Sequence, residues 1–224
     1  MPLNIAILAS GSGTNAAKIM EMAASGRLDA HVEAVISNRP CAKVLEKAKN
    51  FGVSRFALDH RQYPSREAFD SEILTILAET DCQLLVLAGY MRLLSPRFLQ
   101  IWQDRVVNIH PALLPAFPGI HGAADALEWG VKITGVTVHF VEEAMDSGPP
   151  IIQAAVPVLP DDSVESLEDR IHSLEYRIYP QAIQWLAEKR VCRDGRRVWI
   201  KPGNRPLSAP ISDAFVWPPL EEGF

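Results

Sequence analysis

The stretch Val106-Val107-Asn108-Ile109-His110-Pro111 decides how the first half of the chain is interpreted. Its valines predict the end of a buried strand, and Pro111 ends that strand because proline has no N–H for a β-ladder. Residues i and i+2 of a strand point to the same face, so Asn108 and His110 are expected to project together. A carboxamide can donate to a developing oxyanion, and an imidazole exchanges a proton near neutral pH. The pair indicates a reaction site, with a polar strand end satisfied by neighbouring backbone as the alternative.

The sequence before this strand alternates between short apolar runs and amphipathic segments. The predicted strands are 4–9, 31–37, 55–58, 83–88 and 105–109, and the predicted helices are 16–24, 42–50, 68–79 after a Ser65 cap, and one that opens at Ser95-Pro96. Such alternation is typical of an α/β fold with a doubly wound, mostly parallel sheet.

The pattern changes after residue 119. A helix at 123–129 precedes strands at 134–140 and 151–158, which are expected to form an antiparallel edge of the sheet. The helical stretch 164–190 contains Pro180, which predicts a break or kink. Asp194-Gly195 predicts a hairpin between 191–193 and 197–200, and the proline-rich remainder is expected to pack loosely or to wrap on the surface. The sequence favours a single domain: residues 1–190 form it, and 191–224 add a hairpin and tail that do not fold independently.

Composition narrows the possible functions. The formal net charge of -5 argues against a general binder of nucleic acid or of anionic membranes. The 3 cysteines are far apart and show no ligand spacing, so neither a metal site nor a disulfide framework is expected. Reduced thiols favour the cytoplasm, and the amino terminus resembles neither a signal peptide nor a membrane span.

The segment Gly11-Ser12-Gly13-Thr14-Asn15 lies at a predicted strand-to-helix turn. Glycines let the backbone approach an anion closely, and N–H groups at a helix start point toward it. The spacing matches neither GxGxxG nor a Walker loop. It therefore favours a single phosphate, with a tight turn capped by Thr14 or Asn15 as the alternative.

Two further segments carry candidate residues. Asp146 lies in the acidic loop 142–150. A carboxylate beside His110 would favour the charged imidazole, and such a pair suits acyl transfer without a nucleophilic side chain. A flexible connection between two strands is the alternative.

In residues 88–94, Gly89 permits close approach of the backbone, and the apolar residues Met91, Leu93 and Leu94 would line a slot for a flat heterocycle. The alternative there is core packing beside a solvated Arg92.

Other charged and histidine residues are weaker candidates. Arg66 and Glu175 lie on predicted helices, where solvated charges are the default. His139 is expected to be a satisfied core residue or one that supports the site. His121 is expected either at the surface or reaching the site.

In this order and spacing, the segments resemble the folate-dependent glycinamide ribonucleotide formyltransferase family. The resemblance covers about residues 3–190 and rests on residues 10–15, 65–70, 88–92, 108–115, 137–141 and 146–149. The sequence departs from the family at Ala112, where serine is frequent, in a shorter stretch 121–134, and in the tail after Arg190.

The resemblance implies a formyltransferase-like variant of the Rossmann fold and a place in purine biosynthesis. It implies catalysis by Asn108, His110 and Asp146; phosphate binding by Gly13, Thr14 and Asn15; a ribose or glycinamide contact by Glu175; and folate binding by Arg66, Met91, Arg92, Leu93, Leu94 and Asn108. The implied co-substrate is 10-formyltetrahydrofolate, and the implied acceptor is glycinamide ribonucleotide. No metal, nucleic acid or membrane is expected, and the implied form is a cytoplasmic monomer or homodimer. Two alternatives stay open: a formyltransferase for another amine, such as an amino sugar nucleotide, and a phosphate-binding module without chemistry.

Overall fold

A computed structural model describes residues 1–224. Eight of its ten strands belong to one mixed, mostly parallel sheet with helices between the strands, which confirms the predicted fold class. The chain divides into two compact units, Met1–Asn108 and Ile109–Phe224. None of its helices is long and apolar enough to cross a membrane.

The first unit is a parallel αβ array. Its elements are β1 (Leu3–Leu8), α1 (Thr14–Ala24), β2 (Ala30–Ser37), α2 (Lys43–Asn50), β3 (Ser54–Ala57), a 3₁₀ turn (His60–Gln62), α3 (Arg66–Ala78), β4 (Leu84–Leu87), α4 (Pro96–Ile101) and β5 (Val106–His110), whose last two residues belong to the second unit. The strands are ordered β5-β4-β1-β2-β3, and every pair is parallel. All four residues of β4 are buried, as expected for a parallel strand covered on both faces.

Serine caps begin two of these helices as predicted. Ser65 Oγ accepts the Ala68 N–H at 3.1 Å, and Ser95 Oγ accepts the Phe98 N–H at 3.3 Å. Both bonds satisfy an N–H that has no partner within the helix. The first helix instead begins at Thr14, two residues before the predicted start, because Gly13 takes a left-handed conformation (φ 66°) as its N-cap.

The second unit contains α5 (Gly122–Glu128), β6 (Ile133–Phe140), β7 (Pro150–Pro157), α6 (Val164–Ala187), β8 (Val191–Asp194), β9 (Arg197–Ile200) and β10 (Phe215–Trp217). The predicted antiparallel pairing of β6 with β7 is confirmed, and so is the β8–β9 hairpin. The sheet continues beyond β7, however, because β10 pairs with β7 in antiparallel register.

The tail is more firmly attached than its composition predicts. Arg190 Nη2 and Nη1 contact Glu221 Oε1 and Oε2 at 2.6 and 3.1 Å, and the Glu221 N–H donates to Gln181 Oε1 at 2.8 Å. Leu220, Glu221 and Phe224 are buried. The expectation of loose packing is wrong because specific partners on and just after α6 hold the last residues.

Helix α6 runs without interruption through Pro180, so a break there is wrong, and a kink at this residue stays a prediction. Proline inside a helix loses one backbone hydrogen bond and destabilises it by about 3 kcal/mol. The neighbours Ile178, Tyr179 and Ile183 are all 0% exposed, and burial of each large apolar side chain contributes about 1.5–3 kcal/mol. Packing of this half of the helix therefore outweighs the missing bond.

Candidate active site

His110 and Asp146 come together in the second unit. His110 ends β5 and is 3% exposed, and its Nδ1 lies 3.5 Å from Asp146 Oδ2. The same carboxylate oxygen accepts the Gly119 N–H at 2.9 Å. The loop that sequence patterns alone describe as a flexible connection thus delivers a carboxylate to the predicted histidine.

Both ring nitrogens of His110 face acceptor groups. Its Nε2 lies 2.8 Å from the Phe117 carbonyl oxygen, which can only accept, so Nε2 carries a hydrogen. Its Nδ1 faces the Asp146 carboxylate, also an acceptor. The imidazole of His110 therefore lies between a backbone carbonyl on one side and a carboxylate on the other.

A second imidazole borders the same carboxylate. His139, on β6, has Nδ1 2.8 Å from the Phe140 carbonyl oxygen and Nε2 3.9 Å from Asp146 Oδ1. It is 2% exposed, which confirms the prediction of a satisfied core residue. Burial lowers the pKa of His139, against the opposing effects of the Phe140 carbonyl and Asp146. The lowered pKa favours the neutral form of the His139 imidazole.

Thr137, a residue that sequence reasoning did not single out, fixes the loop after His110. Its Oγ1 donates to the Ala112 carbonyl at 2.7 Å and accepts from the Leu114 N–H at 3.1 Å and from Gln153 Nε2 at 3.0 Å. The side chain is fully buried. In an alternating strand a threonine resembles a buried valine, so no sequence signal distinguishes this hydroxyl.

The loop that carries Asp146 has a constrained backbone. Asp146 has φ 51°, in the left-handed region that non-glycine residues rarely adopt. A Cβ at Gly148 would overlap the Phe140 carbonyl oxygen, so only glycine fits where the loop returns to β7. The carboxylate is thus presented by a tight loop with little freedom at its base.

In the first unit, the glycine-rich segment makes a close turn. A Cβ at Gly13 would lie 2.5 Å from the Val44 Cβ, so only glycine allows this approach. No side chain caps α1, and its first backbone bond runs from the Ala17 N–H to the Gly13 carbonyl. The N-cap is therefore Gly13 and not Thr14 or Asn15, and a glycine turn that leads into a helix start is the geometry of an anion site.

The segment after β4 presents apolar side chains to solvent. Met91 and Leu93 are 56% and 51% exposed, whereas Leu94 is buried. Arg92 is half-buried with its guanidinium 5.1 Å from the centre of the Phe69 ring, so the solvated Arg92 of the alternative interpretation is not observed. Two of the three apolar residues predicted to line a slot are thus available to a ligand.

Ser10 joins this segment to the glycine-rich turn. Its N–H donates to the Gly89 carbonyl at 3.0 Å, and its Oγ accepts the Met91 N–H at 2.8 Å and donates to Asn38 Oδ1 at 2.5 Å. Sequence reasoning quoted Ser10 within a motif but gave it no role.

Arg66 and Glu175 have different surroundings. Arg66, at the start of α3, is half-buried with Nε 3.7 Å from Glu67 Oε1. Glu175 is only 3% exposed, with Oε2 3.9 Å from His172 Nε2. The expectation of a solvated charge is wrong for Glu175, because most of the surrounding face of α6 is buried.

The fold and these side chains define a class of protein: an α/β fold with a histidine–carboxylate pair at the carboxyl end of a sheet strand. Asn108 and His110 lie two residues apart on β5, and His110 is paired with a carboxylate. The structure contains no group of three or more His, Cys, Asp or Glu side chains that could hold a metal ion. A model of the family described as Formyl transferase matches residues 3–183, and the chain belongs to the formyl transferase family.

Known relatives agree with this assignment. The chain is 41% identical over 181 residues to phosphoribosylglycinamide formyltransferase of Bacillus subtilis, covering 81% of this chain and 93% of that protein. It is 42% identical over 184 residues to the Drosophila melanogaster trifunctional purine biosynthetic protein adenosine-3, covering 81% of this chain but only 14% of that protein. The crystal structure of glycinamide ribonucleotide transformylase 1 from Symbiobacterium toebii has a TM-score of 0.87 and 48% identity, covering 89% of this chain and 94% of that one.

Proposed function

We propose that this chain transfers a formyl group from 10-formyltetrahydrofolate to the amine of glycinamide ribonucleotide, a step of de novo purine biosynthesis. Membership of the formyl transferase family and relatives named for this activity support the proposal. The observation that carries it is the contact of His110 with Asp146 at the end of the strand that also holds Asn108.

The substrates are assigned to the two glycine-containing turns of the first unit and to one helix of the second. Backbone N–H groups at Gly13, Thr14 and Asn15 bind the phosphate of the acceptor, consistent with the uncapped start of α1. The buried carboxylate of Glu175 contacts the ribose or glycinamide part.

The folate is assigned to the segment after β4. Met91 and Leu93 contact its pteridine through their exposed side chains, and Arg92 and Leu94 contribute through backbone groups. Asn108 contacts the formyl end, and Arg66 meets the folate tail.

The chemistry is a direct transfer. The neutral amine attacks the formyl carbon, the carbonyl oxygen becomes an oxyanion, and the bond from that carbon to N10 of the folate then breaks. The proton lost by the amine is passed to the leaving nitrogen. The Asn108 amide and the His110 imidazolium stabilise the oxyanion, and Asp146 keeps His110 charged and relays protons. No covalent enzyme intermediate is needed, because the amine is itself the nucleophile.

The Phe117 carbonyl matters for this step. It accepts from His110 Nε2 at 2.8 Å, while Nδ1 faces Asp146. For His110 to donate to the oxyanion through Nε2, the oxyanion must replace this carbonyl as the acceptor. The exchange trades one hydrogen bond for a stronger one to a full negative charge.

Further properties belong to the same proposal. We expect the enzyme to work in the cytoplasm as a monomer or homodimer, with small-molecule substrates and without nucleic acid, membrane or metal. Residues 1–190 are assigned as the catalytic domain and 191–224 as a dependent hairpin and tail.

The test is a formyl-transfer assay with 10-formyltetrahydrofolate and either glycinamide ribonucleotide or an amino sugar nucleotide. His110→Ala and Asp146→Asn are expected to lower turnover by about 10²–10⁴-fold, the usual effect of losing a positioned acid–base group. His31→Ala is the matched control, since His31 is exposed on β2. Turnover of the amino sugar nucleotide alone would identify a different acceptor, phosphate binding without any turnover would identify a binding module, and full activity of both variants would refute the catalytic assignment.

A further inference from the structure

The β8–β9 hairpin touches the loop that carries Asp146 from outside. We define the Asp146 loop as residues 141–149, between β6 and β7. Arg193 Nη2 lies 2.5 Å from Glu142 Oε1, and Arg196 Nη1 donates to the Ser147 carbonyl at 2.7 Å. One contact is made before Asp146 in the chain and the other immediately after it, so the two arginines hold both sides of the loop.

A third contact reaches the base of the loop. The Arg193 guanidinium lies 5.7 Å from the centre of the Phe140 ring, within the range of a cation–π interaction. Phe140 closes the loop by donating its N–H to the Pro149 carbonyl at 3.1 Å. Arg193 therefore contacts the residue at the base and an acidic residue of the loop at the same time.

The charges of the two segments are complementary. The Asp146 loop contains Glu142, Glu143 and Asp146, and the hairpin contains Arg193, Arg196 and Arg197 against the single acid Asp194. Arg197 is exposed and makes none of the contacts described above. The hairpin thus offers both two engaged arginines and an adjacent arginine that serves as a control.

The strained backbone conformation of Asp146 explains why the loop needs contacts from outside. Its φ of 51° is a conformation that costs of order 1 kcal/mol or more and persists only where the surroundings enforce it. Within the loop, the Ser147 Oγ bond to the Ala144 carbonyl at 2.7 Å supports the turn from one side only. The hairpin supplies external support on both sides of the strained residue.

We propose that the β8–β9 hairpin braces the Asp146 loop and that Arg193 and Arg196 are positioning residues for the carboxylate that faces His110. The proposal rests on the proposed role of Asp146 in formyl transfer. The proposal assigns residues 191–200 a role in the reaction, whereas all other assigned residues come earlier in the chain. The hairpin also lies beyond the match to the family model, which ends at residue 183.

The experiment measures kinetics and backbone hydrogen exchange of the full-length chain. The double variant Arg193→Ala with Arg196→Ala is expected to lower kcat about tenfold, since misplacing a catalytic group by a fraction of an ångström to 1 Å lowers rates by up to about 10²-fold. The KM for both substrates is expected to stay within about twofold, because no assigned substrate contact changes. Exchange of the amides in 141–148 is expected to accelerate.

Control variants separate bracing from a general loss of structure. Arg197→Ala is expected to behave as the unchanged protein in both measurements. Lysine at both positions is expected to restore most of kcat, because it keeps a donor for Glu142 and for the Ser147 carbonyl. The exchanged pair Glu142→Arg with Arg193→Glu is expected to recover activity that each single change loses.

Unchanged exchange in 141–148 for the double alanine variant would overturn the proposal, and so would faster exchange with kcat unchanged. A KM that rises with kcat constant would overturn it as well. If the unaltered chain shows no formyl transfer, the proposed function fails. The hydrogen-exchange measurement then still tests whether the hairpin restrains residues 141–148.

Discussion

The contact of Arg190 with Glu221 predicts how firmly the tail is integrated into the second unit. Both guanidinium nitrogens of Arg190 contact the Glu221 carboxylate, at 2.6 and 3.1 Å, and the two side chains are 12% and 5% exposed. Removing one partner of a buried ion pair destabilises a protein by about 3–5 kcal/mol, because the other charge remains buried. Arg190 keeps bonds to Glu188 and to the Lys201 carbonyl, at 2.7 and 2.8 Å, so its charge stays partly compensated and the loss falls at or just below the lower end of this range.

Glu221→Gln is therefore expected to lower the free energy of unfolding by about 2–3 kcal/mol. For a chain of this size, each kcal/mol corresponds to about 2–4 °C, so the Tm should fall by about 5–10 °C. The assay is thermal unfolding followed by circular dichroism, with urea unfolding as a second measurement. Glu222→Gln is the matched control, because Glu222 is the exposed neighbour and only its backbone N–H is bonded, to the Pro206 carbonyl.

Equal Tm values for the two variants would refute the reasoning. A separate transition at lower temperature for Glu221→Gln would instead show that the tail unfolds on its own. That second result would contradict the assignment of 191–224 as a segment that depends on the rest of the chain.

The remaining predictions concern the surroundings of His110. Thr137→Val keeps the shape but removes the hydroxyl that contacts Ala112, Leu114 and Gln153; leaving these buried groups unpaired should lower the free energy of unfolding by about 1–3 kcal/mol, and an unchanged urea midpoint would contradict this. Burial lowers the pKa of His139 in the folded protein below its value of about 6.5 in the unfolded chain. At a pH between these two pKa values, the unfolded chain therefore binds more protons than the folded one. The contribution of neutral His139 to stability is complete above about pH 6.5 and is lost as the pH falls through the pKa of the folded state. His139→Asn should therefore flatten the dependence of the unfolding free energy on pH between about pH 7.5 and 5. An unaltered pH dependence would contradict this prediction.

The sequence patterns locate most elements because local signals and tertiary structure agree there. The strand at 105–109 was predicted from its valines and from Pro111, and β5 extends one residue further to His110. The serine caps at Ser65 and Ser95 are local backbone chemistry, which a sequence displays directly.

The sequence-based predictions fail where residues distant in the chain determine the local structure. Three residues of an otherwise irregular tail become β10 only because β7 offers them an edge, and no local periodicity marks them. Pro180 is tolerated because of packing around α6, and Glu175 is buried for the same reason.

The candidate site follows the same rule: residues marked by their type were predicted, and residues defined by a distant partner were not. Residue types indicate His110 and Asp146 as candidates, the family resemblance implies that they act together, and the structure shows Nδ1 and Oδ2 3.5 Å apart. Thr137, Ser10 and the two hairpin arginines were missed, because a hydroxyl or a guanidinium shows its partners only after folding.

The late position of β10 in the chain has a consequence for the order in which the sheet forms. The connection 141–149 joins β6 to β7, whereas 158–214 must be closed before β10 can pair with β7. By the logarithmic dependence of loop-closure entropy on length, the longer closure costs about 1.6 kcal/mol more. A strand of three residues returns little of that cost in hydrogen bonds, so we expect the β6–β7 hairpin to form first and β10 to pair with an edge that already exists.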